Sequence, residues 1–346
     1  MMVAGDAGGT KTRLALFDGG VLRFEQRLDS AAFGAFDAVL ARFLAAARAA
    51  LGADFGVERA CIGVAGPVAD ERVQVTNLPW EIDARALERE FGIERVALVN
   101  DFVANAYGID ALDAADLLTL QVGEPTADAP RVLIGAGTGL GVAYVVLQGG
   151  EPRVVPSEGG HAGFAPADEE QAALWRVLHA RLGRVEVEHV VSGAGLVRIY
   201  EHLREVARHP ASAALERGLA EGDPAAAITR HALEHGDPLA NAALDLFIAC
   251  YGAVAGDHAL GVVARGGVYL AGGIAPKIRS RLAAGGFLAA FNAKGAFSDL
   301  ARSMPVHVVL DERLGLLGAA RLADRSPPAQ ALVSSNHPRG GPVVGV

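Results

Sequence analysis

Cysteine is almost absent. Cys61 and Cys250 are the only two in 346 residues, both lie in apolar surroundings, and no C-x-x-C spacing occurs. That excludes a disulfide framework and a thiolate zinc cluster, and it makes a reducing cytosol the default compartment. Positive charge is also scarce: 31 Lys plus Arg against 40 Asp plus Glu leave a formal charge of -9. A chain that binds by neutralising nucleic-acid phosphates or anionic lipid needs the opposite balance, so no nucleic-acid partner is expected. Long apolar runs are lacking as well. The longest, such as that around Leu246 to Ala255, fall short of the roughly 20 residues that span a bilayer, and the N-terminus reaches Asp6 and Lys11 without an apolar signal core. No membrane segment is expected, and the composition points to small-molecule work.

What is present is 51% hydrophobic residues, ample for a core. The first hundred residues alternate strand-like runs (Val3 to Asp6, Thr12 to Phe17, Val21 to Arg27, Arg59 to Ala65, Arg72 to Thr76, Arg95 to Val99) with helical windows at Phe36 to Leu51 and Ala84 to Phe91. This order predicts an α/β domain with a mixed sheet. A second unit restarts near Arg131 with strand, glycine turn, strand in "RVLIGAGTGLGVAYVVLQGG", then a strand at Arg153 to Pro156. Helices are predicted over Glu169 to Arg181, Gly195 to Ala207, Pro224 to Glu234 and Pro238 to Val263, with both prolines where a first helical turn tolerates a missing N–H. A strand in "GGVYLAGGIAPKI" breaks at two glycines, and a strand at Val306 to Leu310 precedes a last helix from about Arg313 to Ala323. Beyond Asp324 proline, serine and glycine are dispersed without period, which reads as a mobile tail.

Two segments repeat one design: "GDAGGTKTRLALF" and "GAGTGLGVAYVV" are each a strand end, a glycine turn carrying Thr, and a second strand. Such turns let backbone N–H groups converge on an anion, with the Thr hydroxyl as an added donor, so phosphate is the natural guest. Ordinary hairpin turns would look alike. Neither a Walker loop nor the strand-glycine-helix dinucleotide fingerprint is present, which leaves a nucleotide site of hairpin type. Asp6, at the start of the first turn, could hold the water shell of a phosphate-bridging Mg²⁺, or simply close an Asx turn.

Asn100, Asp101, Glu158, His161 and Glu188 stand out as polar residues in apolar surroundings. Carboxylates accept from adjacent hydroxyls while Asn and His both give and take, a set suited to a polyol. Zinc is the rival reading of the Glu158-Gly-Gly-His161 loop, with no further Cys or His nearby to support it. Asp101 follows the buried-strand run "RVALV", at the sheet edge where α/β proteins place ligands. It could cap the following helix, accept a proton from a hydroxyl, or do both.

These segments, with "GPVADERVQVTNLPW", "VNDFVANAYG", "EGGHAGFAP" and "VEHVVSGAGLVRIY", occur in the order and spacing of bacterial ATP-dependent glucokinases, which the chain resembles from Gly5 to about Arg321. The resemblance implies an actin/hexokinase-like (ribonuclease H-like) α/β fold with a duplicated mixed sheet, two domains and a cleft between them. It implies a small domain of residues 1–111 plus about 310–324, a large domain of 112–309, and a tail of 325–346. It implies Asp101 as general base and Asn100, Asp101, Glu158, His161 and Glu188 as sugar ligands. Asp6, Gly8, Gly9, Thr10, Gly137, Thr138 and Gly139 are implied at the phosphates, and Gly272 and Gly273 at the adenosine. ATP, Mg²⁺ (held through water by Asp6), glucose, a cytoplasmic location, a place in glycolysis and a homodimer follow from the same resemblance. Lys11 stands where members commonly carry Asn and is expected to face solvent. A related repressor and kinase group holds zinc through a cysteine cluster that this chain lacks, and its DNA-binding domain would precede the first glycine turn. A kinase for another hexose and a non-catalytic sugar sensor remain as alternatives. The apolar helix around Leu244 to Tyr251 reads either as a dimer face or as core.

Overall fold

The computed structural model describes residues 1–52, 54–76, 78–206 and 212–325. They form two compact units, one of residues 1–111 with 313–325 and one of residues 112–312. The tail read at 325–346 lies outside the described residues except for Arg325, as does Ala207 at the end of its predicted helix.

The first unit opens with a meander of β1 (Met2–Ala7), β2 (Lys11–Asp18) and β3 (Val21–Asp29). The second of its turns is Gly19-Gly20, both at positive φ (55° and 80°), a conformation that glycine adopts without strain. α1 (Phe36–Leu51) buries Phe36, Val39, Leu40, Phe43, Leu44 and Ala47, one face at helical spacing, and stops at left-handed Gly52. β4 (Arg59–Val64) runs parallel to β1. A small sheet of β5 (Val68–Ala69), β6 (Arg72–Gln74) and β7 (Glu81–Asp83) leads to α2 (Ala84–Phe91), whose N-cap Asp83 accepts from Ala86 N at 3.1 Å. β8 (Arg95–Asn100) and α3 (Asp101–Gly108) follow directly. The main sheet has the order β3-β2-β1-β4-β8.

The second unit adds β9 (Leu117–Gln121), β10 (Arg131–Ala136), β11 (Leu140–Gln148), β12 (Glu151–Ser157), β13 (Gly267–Ala271) and β14 (Val306–Val309), in the order β12-β11-β10-β13-β14-β9. Two antiparallel pairings followed by two parallel ones repeat the first sheet, and β9 extends the second along an antiparallel edge. The helices are α4 (Glu169–Leu182), α5 (Gly193–Glu205), α6 (Ala213–Glu221), α7 (Pro224–Glu234), α8 (Pro238–Val262), α9 (Arg279–Leu282), α10 (Gly286–Asn292) and α11 (Ser298–Arg302). α8 corrects the apolar-run argument. This helix has 25 residues and is long and apolar enough to cross a membrane, yet 78% of its most apolar window is buried inside the protein. Leu244, Phe247, Cys250 and Tyr251 are each 0% exposed, which makes α8 the core helix of its unit and removes these residues as a dimer face.

The last helix, α12 (Leu314–Asp324), belongs to the first unit and covers the sheet face opposite α1, placing Leu316, Ala319, Ala320 and Ala323 on Ala4, Ala15 and Cys61. It meets α3 backbone to backbone: a Cβ on Gly318 would overlap the Ala104 carbonyl, and one on Gly108 would overlap the Leu314 carbonyl.

Candidate active site

In the first unit the pairing registers put Asp6, Gly63 and Val99 side by side, and Ala7, Val64 and Asn100 at the next step. The carboxyl ends of parallel β1, β4 and β8 therefore share one edge, and α3 begins at that edge with Asp101. Gly63 makes the close start possible, because a Cβ there would lie 3.0 Å from Ala104 Cβ and 3.7 Å from Asp101 Cα. The N-cap is Asn100, not Asp101. Asn100 Oδ1 accepts from Phe102 N at 2.9 Å and Val103 N at 3.3 Å, and its Nδ2 donates to Gly66 O at 3.4 Å. Asp101 is the first helical residue, half-buried, and its Oδ1 also accepts from Phe102 N, at 2.9 Å. A carboxylate in a first helical turn is where the helix dipole favours negative charge.

Asp6 lies beneath two helices: a Cβ on Gly315 would sit 3.2 Å from both Asp6 Oδ2 and Asn105 Oδ1. Burial raises the Asp6 carboxyl pKa above the ordinary range, opposed by the Arg13 charge on β2. In the first glycine turn the Gly8 N–H already donates to Lys11 O at 3.1 Å, so that group closes the turn. Ser30, which the sequence did not single out, braces it. The Ser30 hydroxyl donates to Gly8 O at 2.8 Å and its N–H to Thr10 O at 3.1 Å. Lys11 is exposed and pairs with Asp29 across the sheet at 2.8 Å, which lowers the Asp29 carboxyl pKa.

In the second unit Glu158, His161 and Glu188 are built together with the second glycine turn. Glu188 Oε2 accepts from Leu140 N at 2.7 Å, and a Cβ on Gly139 would collide with that carboxylate. Gly160 abuts the Leu140 carbonyl closely enough that no Cβ fits, which seats the loop of exposed Glu158 and His161 on the same turn. Gly137 N donates to Gly139 O at 2.8 Å, again closing its own turn, and Gly193 N at the start of α5 donates to Gly137 O at 2.9 Å. Gly272 has φ 78° and would place a Cβ 2.5 Å from Ala136 O, so only glycine brings the 272–273 turn against the end of β10. A phosphate at either hairpin thus finds the N–H groups of Gly8 and Gly137 occupied. Thr10 and Thr138 are exposed at the turn tips.

The sequence reading missed Glu186. Its Oε2 lies 2.8 Å from His161 Nδ1. That bond, helped by the charges of Glu188, Glu186 and Glu158 and opposed by burial, raises the His161 pKa; the same bond lowers the Glu186 carboxyl. Among the described residues no three His, Cys, Asp or Glu side chains are grouped to hold a metal ion.

The Glucokinase family profile matches residues 3–326. The glucokinase of Nostoc punctiforme is 41% identical over 343 residues, covering 94% of this chain and 99% of that protein. That of Chromobacterium violaceum is 36% identical, covering 97% and 94%. The crystal structure of a glucokinase from an Antarctic psychrotroph superposes with a TM-score of 0.80 at 30% identity, covering 93% of this chain and 98% of that one. A ROK family glucokinase from Streptomyces griseus, in complex with glucose and AMPPNP, shares the fold with a TM-score of 0.63 at 22% identity, covering 93% and 98%. With a profile match over nearly the whole chain and relatives this similar along their full length, the chain belongs to the glucokinase family of ATP-dependent hexose kinases, with the actin/hexokinase-like fold.

Proposed function

We propose that this hexose kinase moves the γ-phosphoryl group of ATP to the 6-hydroxyl of D-glucose, with Asp101 as general base. The 6-hydroxyl proton passes to the Asp101 carboxylate as the oxygen forms its bond to the γ-phosphorus, and the bond from that phosphorus to the β,γ-bridging oxygen breaks to release ADP. Asn100, Glu158, His161 and Glu188 hold the other hydroxyls. The turns at Gly8 to Thr10 and Gly137 to Gly139 approach the phosphates, and Gly272 and Gly273 the adenosine. The observation that supports the reading is the joint construction of Glu188, the Glu158–His161 loop and the Gly137–Gly139 turn around Leu140, an arrangement suited to a polyol next to a phosphate.

Mg²⁺ fits the donor chemistry available. Asp6 offers hard carboxylate oxygen at the first turn, and its raised pKa reflects burial that an arriving cation would offset. Such an ion, when bound, would neutralise charge on the β- and γ-phosphates. A cytoplasmic homodimer acting in glycolysis belongs to the same reading, supported by the family resemblance and not by any particular helix face.

The test is a sugar panel in a coupled ADP assay with Mg²⁺, comparing kcat/KM for glucose, mannose, fructose and N-acetylglucosamine. Glucose is expected to give the highest value. A preference for another sugar makes the chain a kinase for that hexose, and glucose binding without ADP release makes it a sensor.

A further inference from the structure

We propose that Glu186 is a positioning residue for His161, fixing the imidazole so that Nδ1 faces the protein and Nε2 is presented to a sugar hydroxyl. The inference rests on the reading of His161 as a sugar ligand and adds to it the group that sets the ring's orientation and charge.

The backbone places Glu186 before any side chain acts. Residues 162–164 and 185–187 pair as a short ladder: Phe164 N donates to Val185 O at 3.0 Å, Val187 N to Ala162 O at 2.9 Å, and Gly163 bridges Glu186. Glu186 is anchored further by its own N–H, which donates to His189 Nδ1 at 3.1 Å, and by Arg184, whose Nε lies 3.7 Å from Oε1. Arg184 also reaches across to donate to His161 O at 3.1 Å. The Glu186 side chain is 24% exposed and that of His161 53%. A well-held carboxylate thus meets an imidazole that solvent alone would leave free to rotate.

One bond at 2.8 Å decides the ring's state. A carboxylate only accepts, so Nδ1 carries a proton and the ring cannot flip without losing the bond. Around it stand Glu158, Glu186 and Glu188, with Arg184 and His189 as the cationic or ionisable groups on the Glu186 side. The acids favour the imidazolium, in which Nε2 also carries a proton. Glu158 and Glu188 can accept hydrogen bonds from hydroxyls, and the imidazolium form of His161 supplies the complementary donor that two carboxylates lack, while its neutral form offers Nε2 as an acceptor.

The experiment uses Glu186→Ala, Glu186→Gln and His161→Asn in the full chain, with glucose and ATP varied separately across pH and the His161 ring titrated by NMR. Glu186→Ala is expected to raise the glucose KM about 10-fold, the scale of one lost orienting hydrogen bond, with the ATP KM and kcat nearly unchanged. It should also lower the His161 pKa, so that the alkaline limb of kcat/KM for glucose moves to lower pH. Glu186→Gln keeps an acceptor without charge, and should restore most of the KM at acidic pH while the His161 pKa stays lowered. An unchanged glucose KM and His161 titration in Glu186→Ala overturn the proposal if His161→Asn does raise the glucose KM. If His161→Asn leaves that KM unchanged, the sugar-ligand reading fails and takes the proposal with it.

Discussion

Asp101→Asn is expected to lower kcat by about 10²–10⁴-fold, the usual contribution of a general base, while the folded state changes little and glucose binding weakens by about 10-fold, the share of one hydrogen bond to a charged acceptor. The replacement is nearly isosteric. Its carbonyl oxygen can still accept from Phe102 N, the bond that Oδ1 makes at 2.9 Å, and Asn100 continues to cap the helix through Phe102 N and Val103 N. What disappears is a basic oxygen able to take the hydroxyl proton. Because the cap is Asn100, the carboxylate at 101 is not needed to start α3, and loss of activity cannot be attributed to loss of the helix. Glucose-dependent ADP release is the measurement, with thermal melting as the control. A variant that keeps nearly full kcat removes Asp101 from the mechanism.

Gly318→Ala is expected to be the most damaging small substitution in the first unit. The new Cβ would overlap the Ala104 carbonyl, and Gly108 against Leu314 and Gly315 against Asp6 and Asn105 leave the α3–α12 contact no slack. Overpacking of this kind costs about 1–3 kcal/mol. At about 2–4 °C per kcal/mol for a protein of some size, the Tm should fall by about 2–12 °C. The damage reaches the site, because the helix pushed away begins with Asp101, so kcat should fall with the Tm. Gly261→Ala is the matched control: a Cβ there meets nothing within 4 Å, it lies in α8, and Ala is the better helix former by about 1 kcal/mol. Equal melting of Gly318→Ala and wild type would show that the helices can separate without strain.

Elements bounded by strong local chemistry were legible in the sequence. α1 and α2 occupy the windows read from their apolar spacing, each ending at a left-handed glycine, Gly52 and Gly92, and α7 starts at Pro224 behind the capping carboxylate of Asp223. The strands that flank both glycine hairpins were legible for a related reason, since buried runs stop where glycines begin. β9 was not, because five residues, "LLTLQ", fit a short strand or a helical turn equally well. α9 to α11 have four, seven and five residues, too few to display a period, and α6 carries Leu215 as its one buried residue.

In the candidate site, Asn100 and Asp101 illustrate a one-residue ambiguity. Both side chains make good caps, and only the backbone conformation at 100, φ -60° and ψ 144°, assigns the cap to the first. Glu186 was harder still. "VEVEH" offers two carboxylates two residues apart, and nothing in their neighbours says that one bonds a backbone N–H at Leu140 and the other an imidazole 25 positions away. That division is fixed by the pairing of Gly163 with Glu186, a tertiary fact. The occupied N–H groups of Gly8 and Gly137 are of the same kind, since a glycine turn announces available donors and only the closed turn shows which of them it uses itself.

The Asp101 carboxylate is expected to meet the hydroxyl that receives the phosphoryl group. Calorimetric binding of glucose and of 6-deoxyglucose to wild type and Asp101→Asn tests it most directly, because the two changes delete opposite halves of one interaction. Wild type should bind glucose more tightly than 6-deoxyglucose by about 10-fold or more, as expected for a hydrogen bond to a charged acceptor, and Asp101→Asn should lose most of that difference. If the variant discriminates between the two sugars as strongly as wild type does, the carboxylate and the 6-hydroxyl are not partners, and the account is contradicted.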